Sequence, residues 1–156
     1  MAPSLPAAPY VAVVGAAMAS DDEVAEAFEV GRRLGAAGAV VVCGGLGGVM
    51  AAACRGAKDA GGTTVGILPG DDRAAANDFV DVAIATGLGE ARNVLVVRAA
   101  DALVAIGGEH GTLSEIAFAL KIGRPVVGLG TWPIDGITAV GGPSEAARAA
   151  LDLAAT

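Results

Sequence analysis

The stretch VVVCGGLGGVM, residues 40–50, decides the fold class of this chain. Residues 40–43 are apolar and mostly β-branched without alternation, which predicts a strand buried on both faces. The glycine-rich residues 44–48 predict a tight turn. A helix is expected from residue 49 to about residue 60, where Gly61 and Gly62 end it. A buried strand that passes through a short turn into a helix is the repeating unit of a parallel α/β sheet.

The same alternation of strand and helix continues on both sides of this stretch. The predicted strands are residues 10–14, 40–43, 63–68, 82–85, 102–106, 126–129 and 137–140. The predicted helices are residues 20–37, 49–60, 89–100, 112–122 and 144–154. We therefore expect one domain over residues 1–156, with a flexible tail at residues 1–8. Its fold class is α/β, a parallel sheet of about six or seven strands with helices on both faces.

Local signals refine these elements. Ser20 and Glu23 have the spacing of a capping box, which predicts the start of the first helix. Residues 82–85 are expected to form a short edge strand. The side chains expected to face the core are Val24, Phe28 and Leu34 in the first helix and Leu113, Ile116, Ala117 and Leu120 in the fourth.

Composition excludes several classes of protein. With 54% hydrophobic and 17% charged residues, the chain is not intrinsically disordered. Its net charge of −7 argues against duplex nucleic acid as a partner, because binding a duplex needs a basic surface. Prolines interrupt the uncharged first residues, no basic residue precedes them, and no apolar run approaches membrane-spanning length. A signal peptide and a membrane partner are therefore not expected.

The cysteine and histidine content argues against a metal centre. Cys43, Cys54 and His110 are the full set of cysteines and histidines, too few for a zinc site built from such ligands. Two cysteines in so hydrophobic a chain indicate buried, reduced thiols and a cytoplasmic location. Cys43 ends a predicted strand and is assigned to the core.

Three loops are expected at the carboxyl ends of the strands, where open α/β sheets bind ligands: residues 15–20, 44–50 and 107–112. Two of them are rich in glycine and lead into helices, whose free N–H groups attract anions. The residues assigned to a phosphate site are Gly15, Ala16, Gly44, Gly45, Gly47, Gly48, Met50, Gly108, Glu109, His110, Gly111 and Thr112. The alternative is that the glycines only make short turns, because neither loop has a dinucleotide or Walker A pattern.

Arg92 and Glu115 are the charged residues most suggestive of chemistry. Arg92 lies in the first turn of its predicted helix, where the helix dipole disfavours a cation, so an anionic ligand would explain it. The alternative is a surface ion pair with Glu90 or Asp101. Glu115 lies one turn beyond Thr112, and these two residues also have the spacing of a capping box.

Two loop residues are ambiguous. His110 has the chemistry of a base or of a stacking platform, although a single loop histidine is more often neither. Glu109 places a carboxylate in a loop assigned to an anion. Either its side chain points away from the ligand, or the site is not a simple phosphate cradle.

Four segments occur in an order and spacing that resemble a known family: residues 44–50 (GGLGGVM), 66–69 (GILP), 91–93 (ARN) and 107–115 (GGEHGTLSE). Together they resemble the LOG (LONELY GUY) family, also labelled "lysine decarboxylase-like", in its short branch near molybdenum-cofactor carrier-like proteins. The resemblance covers about residues 10–140. It implies a Rossmann-like fold, a homodimer or homotetramer, and hydrolysis of nucleoside 5′-monophosphates to free base and ribose 5-phosphate.

The resemblance also implies roles for particular residues. The catalytic arginine and glutamate of the family match Arg92 and Glu115, and its Gly-Thr pair matches Gly111 and Thr112. Asn93, added to the ligand site on this basis, stands where those enzymes have lysine. Glu109 replaces a glycine, Gly107 a proline, and Ala16 a serine found in many members.

Two functions follow from the resemblance and its departures. The first is a phosphoribohydrolase in which Glu115 stabilises the positive charge that develops on the ribose, while Arg92 holds the base or phosphate. The alternative is a non-catalytic carrier of a nucleotide-like or pterin phosphate such as molybdenum cofactor. Neither needs a resident cofactor. Lysine decarboxylation, which would need a lysine for pyridoxal phosphate, is not expected, because Lys58 and Lys121 fall on predicted helices.

Overall fold

The computed structural model describes residues 7–156, which contain seven strands and five α-helices. The strands are β1 Tyr10–Gly15, β2 Val40–Cys43, β3 Thr63–Leu68, β4 Val82–Ala85, β5 Ala102–Ile106, β6 Val126–Leu129 and β7 Thr138–Val140. The helices are α1 Asp21–Ala36, α2 Val49–Asp59, α3 Arg92–Ala99, α4 His110–Lys121 and α5 Pro143–Ala154. Of the predicted tail, residues 1–6 lie outside the described residues, and residues 7 and 8 are exposed without regular structure.

All seven strands form one parallel sheet in the order β4-β3-β2-β1-β5-β6-β7. The chain first builds outward from β1 to β4 and then crosses back to place β5 on the other side of β1. The order therefore reverses between β1 and β5, where Gly15 is in register with Ile106. This confirms the predicted fold class, and the reversal opens a crevice at the carboxyl ends of these strands.

Successive residues of β1 contact different helix layers. Val11 and Val13 pack with α1, α2 and α5 on one face, whereas Ala12 and Val14 pack with α3 and α4 on the other. Small residues let the helices approach closely: a Cβ added at Gly56 in α2 would overlap the carbonyl oxygen of Phe28 in α1. The uninterrupted apolar strands are explained by this double coverage.

Most predicted elements are confirmed, with differences near their ends. The capping box of α1 is present, with the Glu23 N–H donating to Ser20 Oγ at 3.1 Å. The helix predicted over residues 89–100 is a 3-10 turn at Gly89–Ala91 followed by α3. The fourth helix begins at His110, two residues before the predicted start, because the chain turns at glycines 107 and 108, both with positive φ.

Some predicted core positions are wrong. Val24 is 38% exposed and Ala117 is exposed, while Ala27, Val30 and Ala119 are buried instead. The strands β4 and β7 are also partly exposed because each has a neighbour on one side only. Within residues 7–156, no helix combines the length and the apolar character needed to cross a membrane.

Candidate functional site

The predicted loops converge on a cavity of about 660 Å³ at the carboxyl edge of the sheet, beside the reversal between β1 and β5. Eleven of the predicted site residues line it: Gly15, Ala16, Gly44, Met50, Arg92, Asn93, Glu109, His110, Gly111, Thr112 and Glu115. The lining also includes Met18, Leu46, Pro69, Glu90 and Ser114, which were not among the predicted site residues. The residues proposed for chemistry are thus brought together from distant parts of the chain.

Four predicted site residues, Gly45, Gly47, Gly48 and Gly108, do not line the cavity. Three of them shape its loops, with positive φ angles of 79° at Gly45, 61° at Gly48 and 96° at Gly108. A Cβ at Gly48 would overlap the carbonyl oxygen of Ala16, so glycine is required where these two loops meet. The structure gives Gly47 no comparable packing role.

The start of α4 presents unpaired backbone donors. Within the described part of the chain, the N–H groups of residues 108–112 donate to no protein acceptor, and the first bond of the helix is from Leu113 to the Glu109 carbonyl at 3.0 Å. The N-cap residue Glu109 makes no side-chain cap. These amides and the positive end of the helix dipole form a local environment that favours an anion.

The capping-box interpretation of Glu115 is wrong. The helix begins at His110, so Thr112 is inside it, and no cap bond joins Thr112 to Glu115. The Glu115 side chain instead lines the cavity, is 8% exposed, and has no hydrogen-bond partner among residues 7–156. Burial raises the pKa of its carboxyl group to about 7, against the opposing effect of the nearby Arg92 guanidinium.

Arg92 is held by strand-end carbonyl groups. Its Nε donates to the Ile67 carbonyl at 2.9 Å, and its Nη2 donates to the Gly44 carbonyl at 3.4 Å. Its Nη1 donates to the Asn93 side-chain oxygen. The alternative of an ion pair with Glu90 or Asp101 is wrong, since Arg92 makes no salt bridge within the described residues.

Two residues that lie just after β6 contact the site, and the sequence did not reveal either of them. The Thr131 hydroxyl donates to the Gly107 carbonyl at 2.6 Å, and the Trp132 indole N–H donates to the Glu109 carbonyl at 3.1 Å. The Trp132 ring also stacks on His110, with 5.8 Å between ring centroids. The sequence signal that could have found them is their position after a strand, because β6 neighbours β5 and ends at the same sheet edge.

The cysteines are buried free thiols, with 3.4 Å between Cys43 Sγ and Cys54 Sγ. The hydrogen bond to Cys43, together with burial, raises the pKa of the Cys54 thiol.

In residues 7–156 no group of three or more His, Cys, Asp and Glu side chains is placed to hold a metal ion. Lys58 lies on α2, where it pairs with Asp81 at 2.9 Å.

Comparison with known proteins places this geometry in a family. The model of the SLOG cluster4 family matches residues 8–151. The structure of a molybdenum cofactor binding protein from Rippkaea orientalis has a TM-score of 0.90 and 33% identity, covering 96% of this chain and 99% of that one. The molybdenum cofactor carrier protein of Chlamydomonas reinhardtii has a TM-score of 0.86 and 36% identity, covering 96% and 100%.

Two further similarities bear on sequence and fold. An uncharacterized protein of Archaeoglobus fulgidus is 46% identical over 119 residues, which are 76% of this chain and 78% of that protein. DNA processing protein A from Helicobacter pylori has a TM-score of 0.70 at 18% identity, covering 92% of this chain and 80% of that one, a likeness of fold alone. The resemblance seen in the glycine loops is therefore confirmed, and the chain belongs to the SLOG cluster4 family.

Proposed function

We propose that this protein binds and carries a small phosphorylated cofactor of the pterin type, such as molybdenum cofactor, without altering it chemically. The observation that carries the proposal is the run of unpaired N–H groups at residues 108–112, at the edge of a cavity of about 660 Å³. The similarity to proteins described as binding or carrying molybdenum cofactor, over 96% of this chain, supports the same ligand class.

The residues at the cavity fit such a ligand. A phosphate group is accommodated by the amides of residues 108–112, with Arg92 as the cation that lines the same space. Met50, in the first turn of α2, also lines the cavity, so the start of a second helix lies at the site. Local donors matter because the net charge of −7 repels anions at long range. The cavity volume is in the range of about 300–1,000 Å³ typical of small-molecule sites.

Asn93 and Glu109 favour a carrier function over hydrolysis of the ligand. Asn93 accepts a hydrogen bond from Arg92 and adds no second cation to the site. The exposed Glu109 lines the cavity and adds negative charge beside the donor amides. This arrangement binds a phosphate by hydrogen bonds, with less net positive charge than a site containing lysine at position 93.

Cofactor retention tests the proposal. The purified protein is mixed with molybdenum cofactor released from a molybdoenzyme and passed through gel filtration, and the molybdenum and pterin in the protein fraction are measured. We expect retention by the native chain and a loss of about tenfold or more in Arg92→Gln, whose guanidinium lines the cavity. The matched control is Arg98→Gln on the same helix, where the guanidinium instead lies over the Phe118 ring. Absence of retention by the native chain would refute the proposal.

A second candidate function is hydrolysis of a nucleoside 5′-monophosphate. It is favoured by the buried, unpaired Glu115 carboxyl group near Arg92. In this reaction the N-glycosidic bond breaks, water adds to the ribose carbon, and the leaving base takes a proton. The Glu115 carboxylate would stabilise the positive charge on the sugar and orient the water.

Release of free base from AMP and related monophosphates tests this second function. We expect Glu115→Gln to lose turnover and keep binding if the protein is a hydrolase. A carrier releases no base from any monophosphate at high protein concentration. Base release by the native chain therefore distinguishes the two functions, whereas Glu115→Gln is expected to keep its ligand under both.

The proposal includes a homodimer or homotetramer and a cytoplasmic location. Apolar side chains are exposed on Leu88, Val94 and Leu95, close in sequence to the cavity residues Arg92 and Asn93, and a second copy of the chain could cover them. Free buried thiols at Cys43 and Cys54 fit a reducing compartment. Light scattering after gel filtration tests the assembly, and Leu95→Glu is expected to produce monomers.

A further inference from the structure

The segment of residues 130–132, which follows β6, contacts the loop of residues 107–112, called here the glycine loop, from outside the cavity. Thr131 and Trp132 do not line the cavity, yet they donate hydrogen bonds to the carbonyl groups of Gly107 and Glu109. Trp132 also stacks on His110, which does line the cavity. The Thr131 and Trp132 side chains thus contact three residues of the loop, Gly107, Glu109 and His110.

These contacts determine where the loop amides point. In a trans peptide the C=O and the following N–H are directed to opposite sides, and the described chain has no cis peptide bond. Holding the Gly107 and Glu109 carbonyls toward residues 130–132 therefore turns the N–H groups of Gly108 and His110 the other way. Gly107 and Gly108 have positive φ angles and little intrinsic stiffness, so the loop needs external support to keep this orientation.

We propose that Thr131 and Trp132 are positioning residues that hold residues 107–112 in the conformation that presents its amides to an anion. The inference rests on the proposed function, because it assumes that a phosphate binds at this loop. In this view, the affinity for phosphate depends on two residues that lie outside the cavity. The mechanism is preorganisation: the donors are oriented before the ligand arrives, so binding does not have to order the loop.

Titration with inorganic phosphate, followed by amide NMR, tests the inference on the full chain. In the native protein we expect saturable shifts of the amide signals of residues 108–112. Thr131→Val and Trp132→Phe each remove one donor and keep most of the side-chain volume. We expect each to weaken phosphate binding about three- to tenfold. Thr131→Ser keeps the hydroxyl and is expected to restore native affinity.

The matched control is Thr64→Val. The Thr64 hydroxyl makes a bond of the same length, 2.6 Å, to the Phe79 carbonyl, near the amino end of β3 and far from the glycine loop. We expect this variant to lose stability without losing phosphate affinity. A purely structural role for Thr131 predicts the same behaviour for both threonine variants.

The outcomes separate the two proposals. Native phosphate affinity in both Thr131→Val and Trp132→Phe overturns the positioning role and leaves the proposed function intact. Absence of amide shifts in the native protein refutes phosphate binding at this loop, and the positioning role falls with it. If one of these two variants fails to fold, the phosphate affinity of the other decides whether the positioning role stands. Trp132 is the single tryptophan of the chain, so its fluorescence emission gives a measure of phosphate binding in Thr131→Val that is independent of the amide NMR signals.

Discussion

Glu115→Gln is expected to make the protein more stable at alkaline pH, because the native carboxyl group is buried without a hydrogen-bond partner among residues 7–156. Burial raises its pKa from 4.5 to about 7. A carboxyl group with a higher pKa in the folded chain contributes full stability below pH 4.5, and that contribution is lost as the pH rises through about 7. At about 1.4 kcal/mol for each tenfold change in proton affinity, the loss is about 3 kcal/mol.

Urea unfolding of both proteins at about pH 5 and about pH 8.5 measures this loss. Glutamine does not ionise, so we expect the stability gained by Glu115→Gln to be about 2.5 kcal/mol larger at the higher pH. The matched control is Glu90→Gln, an exposed carboxylate at the same cavity, whose effect is expected to stay below about 0.5 kcal/mol at both pH values. A stability difference between Glu115→Gln and the native chain that is the same at both pH values would refute the reasoning.

Three further substitutions, and a fourth as the control for the last of them, test the fold and the loop. Ser20→Ala removes the side-chain cap of α1 and should lower the free energy of unfolding by about 1 kcal/mol in urea denaturation. Gly56→Ala places a Cβ against the Phe28 carbonyl and should cost at least about 2 kcal/mol, seen as a lower melting temperature in calorimetry. Gly108→Ala forces a side chain into a φ of 96° and should cost about 2 kcal/mol and weaken phosphate binding. Gly111→Ala, which enters open space, should change stability by less than about 1 kcal/mol; equal melting temperatures for these two variants would contradict the assignment.

The fold was predictable because its signals are local. Uninterrupted apolar runs mark the central strands β2 and β5, whose predicted bounds match the structure. The errors occur where long-range contacts outweigh the local pattern. Val24 has helical spacing with buried residues, yet it is 38% exposed, because it lies in the first turn of α1, whereas the close contacts with α2 are made further along at Phe28, Gly31 and Gly35.

The candidate site was predictable in part. Parallel strands end at a common edge, so the glycine loops were expected to meet, and Arg92 and Glu115 do line one cavity with them. Thr131 and Trp132 were missed because their segment carries no charge and is not a glycine-rich loop that leads into a helix. Their role depends on carbonyl groups 24 and 23 residues away in the chain.

Residue order alone determined that alternating strands and helices would form a parallel sheet, since the period of apolar residues and the glycine turns are properties of neighbouring residues. Tertiary structure decided which loop ends share a cavity, because that depends on the crossing of the chain from β4 to β5. It also decided the environment of Glu115, whose raised pKa comes from burial among residues distant in sequence. Desolvation and loop support arise only when such segments pack together.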